Sequence, residues 1–295
     1  GTSLFNSDVA GQVITLDSTN AMTGAVSITH TGSANVAIDN GTTALNLGTV
    51  SAGQNFSATS GGGITDSGVI TVAGTGTFIT DVNDIDIVLD SDNAITGALT
   101  FTTQTSGSTN GADITFDNGS TAISLAAFVT EGDLTLKTDA AIALTGHNVQ
   151  GDLSVTSAGA ITQSAALTVS GTSSFTSTGT NTNITLSTDS NALTGAVSAV
   201  TAGSSGDVTI DNGTTALNIG TLTANGDLSI RGGNGITDSG VITVSGTSLF
   251  NSDVTAKAIT LDSTNAMTGA VSITHTGSAN VAIDNGTTAL NLGTV

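Results

Sequence analysis

The chain has 295 residues, no Pro, Cys, Trp or Tyr, eight Phe, and three Lys or Arg against 23 Asp or Glu. A net charge of −20 repels phosphate backbones and anionic lipid head groups, which argues against nucleic-acid partners. No apolar run approaches the roughly 20 residues a membrane-crossing helix requires, so no membrane insertion is expected.

A mean hydropathy of +0.27 and evenly recurring apolar residues argue against disorder. With aromatics so scarce, the interior is expected to be built from Val, Ile, Leu and Ala. The lack of Cys is compatible with an exported protein. Residue 1 falls inside a repeated unit, is not Met and follows no signal peptide, so the chain is read as an excerpt of a longer polypeptide.

The first fifty residues return at the end. Residues 1–50 and 246–295 are identical at 46 of 50 positions, an offset of 245 residues. The only differences are Ala10, Gly11, Gln12 and Val13, which become Thr255, Ala256, Lys257 and Ala258.

Shorter units lie inside that offset. Each opens on Gly-Thr-x-x-Phe, at Gly1, Gly74, Gly171 and Gly246. An Ile-x-Leu run follows, beginning at Ile14, Ile87, Ile184 and Ile259, and then Asn-Ala-x-Thr-Gly-Ala from Asn20, Asn93, Asn191 and Asn265. Next comes an apolar alternation ending in Asp-Asn-Gly, at Asp39, Asp117, Asp211 and Asp284, and three units close on a phrase such as Gly62 to Gly74. The units are 1–73, 74–170, 171–245 and 246–295. The second is clearly longer than the first and third, which suggests one added turn of chain around Gly132 to Gln150.

Within a unit the apolar period is two, the signature of strands. Ile14, Leu16, Val36, Ile38, Leu45, Leu47, Ile70 and Val72 are expected to face inward, with Val13, Thr15, Asp17 and Thr71 outward. Asn-Gly, Gly-Gly and Ser-Gly between runs suit tight turns, and no stretch has helical spacing. Two all-β architectures fit: a string of β-sandwich repeats, or a parallel β-helix (β-solenoid) of about 20-residue coils. The solenoid is preferred, because it absorbs an extra coil and tolerates units of unequal length. The expectation is one continuous solenoid over 1–295, an elongated rod of a dozen or more coils about 70 Å long.

Gly-Asp-Leu-Thr-Leu (Gly132 to Leu136), Gly-Asp-Leu-Ser-Val (Gly151 to Val155) and closings such as Gly159 to Gly171 resemble phrases of filamentous-haemagglutinin-like exoproteins, the giant repetitive bacterial surface proteins and adhesins. That resemblance implies a right-handed parallel β-helix forming a long, secreted, often adhesive stalk. The family's secretion domain has no counterpart in this sequence.

No catalytic or cofactor-binding residue is assigned, and no metal ligand. His30 and His275 are one position in two copies and His147 stands alone, so all three read as surface histidines. Ser, His and Asp are present, but no motif orders them into a triad. Arg231 is the only arginine, where a lyase acting on uronates would need basic residues, so catalysis is not expected.

The densest acidic stretch places Asp84, Asp86 and Asp90 outward, with Asp92 just beyond, against Ile85, Ile87 and Leu89 inward. Carboxylates so placed could hold Ca²⁺, although the plainer reading is a solvated acidic face. The Asp-Asn-Gly sites read as turns whose side chains bond local backbone. The function expected is that of a structural rod or stalk segment of an extracellular bacterial fibre or adhesin, at the cell surface and self-associating. The alternative is a module whose Thr-rich faces adsorb glycan, mineral or ice.

Overall fold

The computed structural model describes residues 1–104, 107, 111–188 and 190–295. Among them there is no helix. All strand pairings are parallel, and each strand pairs with one roughly a coil further along the chain, so the fold is a β-solenoid. Coil length varies: Leu45 pairs with Ile64 across a short coil, and Ile87 with Ile114 across a long one. The chain forms two compact units, Gly1–Ala140 and Ala141–Val295.

In the first unit three ladders alternate along the chain. One climbs through Leu45–Ala52, Ile64–Asp66, Ile87–Leu89, Ile114–Asp117 and Leu134–Thr138. A second runs through Ser3–Ser7, Val26–His30, the later half of Leu45–Ala52, Ile70–Val72 and Ala94–Ile95. The third joins Ile14–Leu16, Val36–Asp39, Phe56–Ser60, Gly76–Asn83 and Leu99–Gln104. The second unit repeats the plan. Its longest ladder runs from Ile142–Leu144 through Ile184–Leu186, Leu228–Arg231 and Ser248–Ser252 to Ala270–His275 and Asn291–Leu292.

The sequence repeat is out of step with the coil. Phe5, Ile28, Val50 and Ile70 stack in one ladder, so three coils carry the chain from Phe5 to Ile70. The counterpart of Phe5 is Phe78, which lies past Ile70 and on the next face, paired with Ala58. Ile14–Leu16 and Ile87–Leu89 likewise occupy different ladders. In the second unit, Ser173–Thr180 and Ser248–Ser252 differ in the same way. The first and third of the shorter repeats therefore each span three coils plus one further face, and equivalent residues move on by that face.

Alternation within each strand sends one set of side chains inward, as expected for a buried face. Val36, Ile38, Leu45, Leu47, Ile70 and Val72 are buried, while Val13, Thr15, Asp17 and Thr71 are exposed. Ile14 and Leu16 are only half-buried, in the first coil, yet their counterparts Ile259 and Leu261 are fully buried. Val, Ile, Leu and Ala dominate the core, but the few phenylalanines are drawn into it too. Phe56, Phe78, Phe101 and Phe116 form a chain of ring contacts at 5.9, 5.6 and 5.4 Å along the first unit. The segment 132–150 contributes three short strands, Leu134–Thr138, Ile142–Leu144 and Asn148–Val149.

Candidate functional site: the polar spine of the coils

The residues that recur most faithfully in the sequence hold one coil to the next. The Asn of each Asp-Asn-Gly is buried and pairs with a backbone residue one coil below. Asn212 Oδ1 accepts from Leu193 N at 2.8 Å, while its Nδ2 donates to Leu193 O at 3.0 Å and to Ala216 O at 2.9 Å. Asn118 does the same with Ile95 and Ala122, and Asn40 with Met22 and Ala44. Asn285 does so with Met267 and Ala289. A carboxamide carries one acceptor and one donor face, so it imitates a strand's peptide group where the chain turns and no strand can reach. The Asp beforehand is local, as expected: Asp39, Asp211 and Asp284 each accept the N–H two residues ahead.

The Asn-Ala-x-Thr-Gly-Ala phrase supplies three more devices. Asn93, Asn191 and Asn265 each accept a buried amide from the coil below, those of Ile70, Leu167 and Ile242, at 2.7 to 2.8 Å. Thr96, Thr194 and Thr268 each donate a hydroxyl to two successive carbonyls below, for example Thr194 to Val169 and Ser170. The Gly that follows sits against the Gly of Gly-Thr-x-x-Phe. A Cβ on Gly97 would lie 2.4 Å from Gly74 O, and one on Gly269 2.1 Å from Gly246 O. Both glycines recur because two backbones meet there with no room for a side chain.

Acidic residues serve the corners. Asp86 accepts Asp113 N at 2.9 Å and Asp113 accepts Asp133 N at 2.7 Å, while in the second unit Asn183, Asp207 and Asp227 form the same staircase. Asp92 instead lies 3.9 Å from Lys137 Nζ, and Asp90 faces Asp66. Ile87 and Leu89 are buried as expected, and Ile85 is half-buried at the corner. Among the described residues, no group of three or more His, Cys, Asp or Glu could hold a metal ion. Asp84, Asp86, Asp90 and Asp92 lie along one coil, and the partners of Asp86 and Asp92 stand on later coils.

Two of the three cations occupy one structural position, a coil above the Asp of Asp-Asn-Gly. Lys137 pairs with Asp117, and Arg231 grips Asp211 at 2.8 and 2.9 Å while also reaching Asp253 at 2.8 Å. Hydrogen bonding to these carboxylates raises the pKa of both cations. Burial pushes the Asp66 carboxyl up, against opposing bonds from Asn93 and the amides of Ser91 and Asp90.

The histidines are a correction to the sequence reading. His30 and His147 are buried and His275 is half-buried. His30 follows Val26 and Ile28 at period two, so it takes an inward position at the strand's end, with Nε2 2.6 Å from Gln12 O. His275 repeats that contact with Lys257 O at 2.6 Å. Burial lowers the pKa of His147 to about 4. The signal for His30 is present in the alternation itself.

A family model for repeats of unknown function (DUF5649) matches residues 33–102, 131–200 and 205–274, together well over half of the chain. The chain belongs to the DUF5649 repeat family. Asn93 precedes the end of its match at 102 by the same interval as Asn191 precedes 200 and Asn265 precedes 274. The DUF5649 repeat therefore carries the coil-bonding asparagine at a constant place. No curated protein matches the chain, and no solved structure does.

Proposed function

We propose that this DUF5649 protein is a structural segment of an extracellular bacterial fibre or giant adhesin, acting without catalysis and in association with further copies of itself. One observation carries the reading. The side chains repeated from unit to unit, the two asparagines, the Thr and the paired glycines, bond or pack coil against coil. Residues repeated for a ligand's sake would instead converge on a cleft. The resemblance of Gly132 to Leu136 and Gly151 to Val155 to filamentous-haemagglutinin-like exoproteins supports a secreted location. The test is immunogold labelling of intact cells with an antibody to the chain. Labelled filaments outside the cell support the proposal, and label confined to the cytoplasm overturns it.

A second reading, adsorption of a glycan, mineral or ice surface, is favoured by one feature. Thr162, Thr185 and Thr209 stand in register on successive coils. The rank continues as Ser229, Leu249 and Ser272, however, so the hydroxyl row is short and ends against an exposed leucine. The structural reading is preferred.

A further inference from the structure

The chain carries several Asn-Gly pairs, and glycine has no Cβ to keep its nitrogen from reaching the preceding asparagine Cγ. The fold treats these pairs differently. Asn40, Asn118 and Asn212 are fully buried, and each carboxamide is bonded to the coil below. The nitrogen of the following glycine is held as well. Gly41, Gly119 and Gly213 N–H donate to Asp39, Asp117 and Asp211 at 2.8, 2.9 and 2.8 Å. Asn225 is half-buried, and its Nδ2 donates to Thr201 O.

The carboxamide of Asn234, ahead of Gly235, has none of these restraints. Asn234 is exposed in a turn, and among the described residues its side chain makes no hydrogen bond. Gly235 N–H closes only the local turn, 3.1 Å from Gly232 O. The two preceding units have Gly62 and Gly159 at this position, so the amide is particular to the third unit. The coil above supplies Lys257, whose Cβ lies 3.9 Å from where a Cβ on Gly235 would stand. Among the described residues Lys257 forms no ion pair.

We propose that Asn234 is a site of spontaneous covalent modification, converted to aspartate and isoaspartate through a succinimide. Gly235 N gives up its proton to solvent and attacks Asn234 Cγ, and the new N–C bond closes the ring. The Cγ–Nδ2 bond breaks, and the nitrogen takes a proton from water and leaves as ammonia. Water then adds to one of the two ring carbonyls. Opening at Cγ gives aspartate, and opening at the main-chain carbonyl gives isoaspartate. Either product sets a new carboxylate beside the coil that carries Lys257. Isoaspartate also lengthens the main chain just before Ile236. There Leu217 N bonds Gly235 O at 3.0 Å, and Ile236 N bonds Ala258 O at 3.1 Å. These bonds between coils should loosen, so the modification marks the age of a chain and weakens the solenoid at one coil. It stands whether or not the protein is part of a fibre.

The test is incubation of the folded 295-residue protein in warm, mildly alkaline buffer, followed by tryptic mapping with mass spectrometry. Trypsin cuts after Arg231 and Lys257, which separates Asn234 from Asn212. Amide-to-acid conversion in peptide 232–257 should outpace that at Asn212 by about ten-fold or more, because a locked asparagine reacts only after local opening. In concentrated urea the two sites should react alike. Asn234→Gln should abolish the conversion, and because Asn234 is exposed the variant keeps its fold. Equal rates at Asn234 and Asn212 in the folded protein overturn the proposal, as does an Asn234 that reacts only in urea. Hydrogen exchange of the Leu217 amide should quicken in the converted protein, and unchanged exchange overturns the loosening of the coil.

Discussion

Replacing Asn212 by Ala removes three hydrogen bonds at one corner. Leu193 N–H loses its acceptor, and the carbonyls of Leu193 and Ala216 lose their donor, at distances of 2.8, 3.0 and 2.9 Å. Asn212 is fully buried, so water does not readily replace the carboxamide. At about 1 kcal/mol net per bond, the loss is about 3 kcal/mol, and it rises toward about 5 kcal/mol if the three orphaned groups stay dry. Asn212→Asp is the sharper probe. The carboxylate keeps the bond to Leu193 N–H but turns a second oxygen toward two carbonyls, so its folded-state pKa is expected above the unfolded value of about 3.9. A raised folded pKa gives stability that is present at low pH and lost as pH rises through it. The Asp variant should therefore approach the parent in acid and fall furthest below it at neutral pH. Urea unfolding followed by far-UV circular dichroism at several pH values measures this, and native-state exchange of the Leu193 amide localises it. An Ala variant costing less than about 0.5 kcal/mol, with Leu193 exchange unchanged, would refute the idea that the asparagines stand in for strand bonds.

Gly97→Ala places a Cβ 2.4 Å from Gly74 O and 2.5 Å from Gly74 C, both backbone atoms. The coils must part there, and a loss of about 2 kcal/mol or more is expected in the same urea assay. Ala256 has φ +59°, a left-handed conformation that its first-copy counterpart Gly11 adopts at φ +78°. Ala256→Gly should relieve about 1 kcal/mol of strain and return about half as unfolded-chain entropy, for a small net rise in melting temperature; a clear fall would count against the strain. His147 has its pKa lowered from 6.5 to about 4 by burial. A depressed folded pKa means that stability is full above about pH 6.5 and lost as pH falls toward 4, by at most about 3 kcal/mol. His147→Leu should flatten that part of the pH–stability curve, and an unchanged slope would assign it to other groups.

The period-two alternation is enough to place Val36, Ile38, Leu45, Leu47, Ile70 and Val72 in a core, because a pleated strand presents alternate residues to opposite faces whatever it packs against. It contains His30 as well, which sits at the next inward step after Val26 and Ile28. Unequal unit lengths point to a solenoid, since stacked coils can be added singly. Local chemistry also makes the Asp-Asn-Gly turns legible, down to the aspartate bonding the amide two residues on. The other half of that motif depends on the fold. Asn212 lies 19 residues from Leu193, and only the length of a coil brings them together. The acidic run at Asp84, Asp86, Asp90 and Asp92 looks like one cluster along the chain, but Asp86 bonds the amide of Asp113, 27 residues away, while Asp92 faces Lys137. Nor can the sequence tell that its repeat is not a whole number of coils. Identical phrases such as those at Phe5 and Phe78 read as equivalent, yet a coil is closed by strand pairing between turns, and the unit from Phe5 to Phe78 overruns three coils by one face.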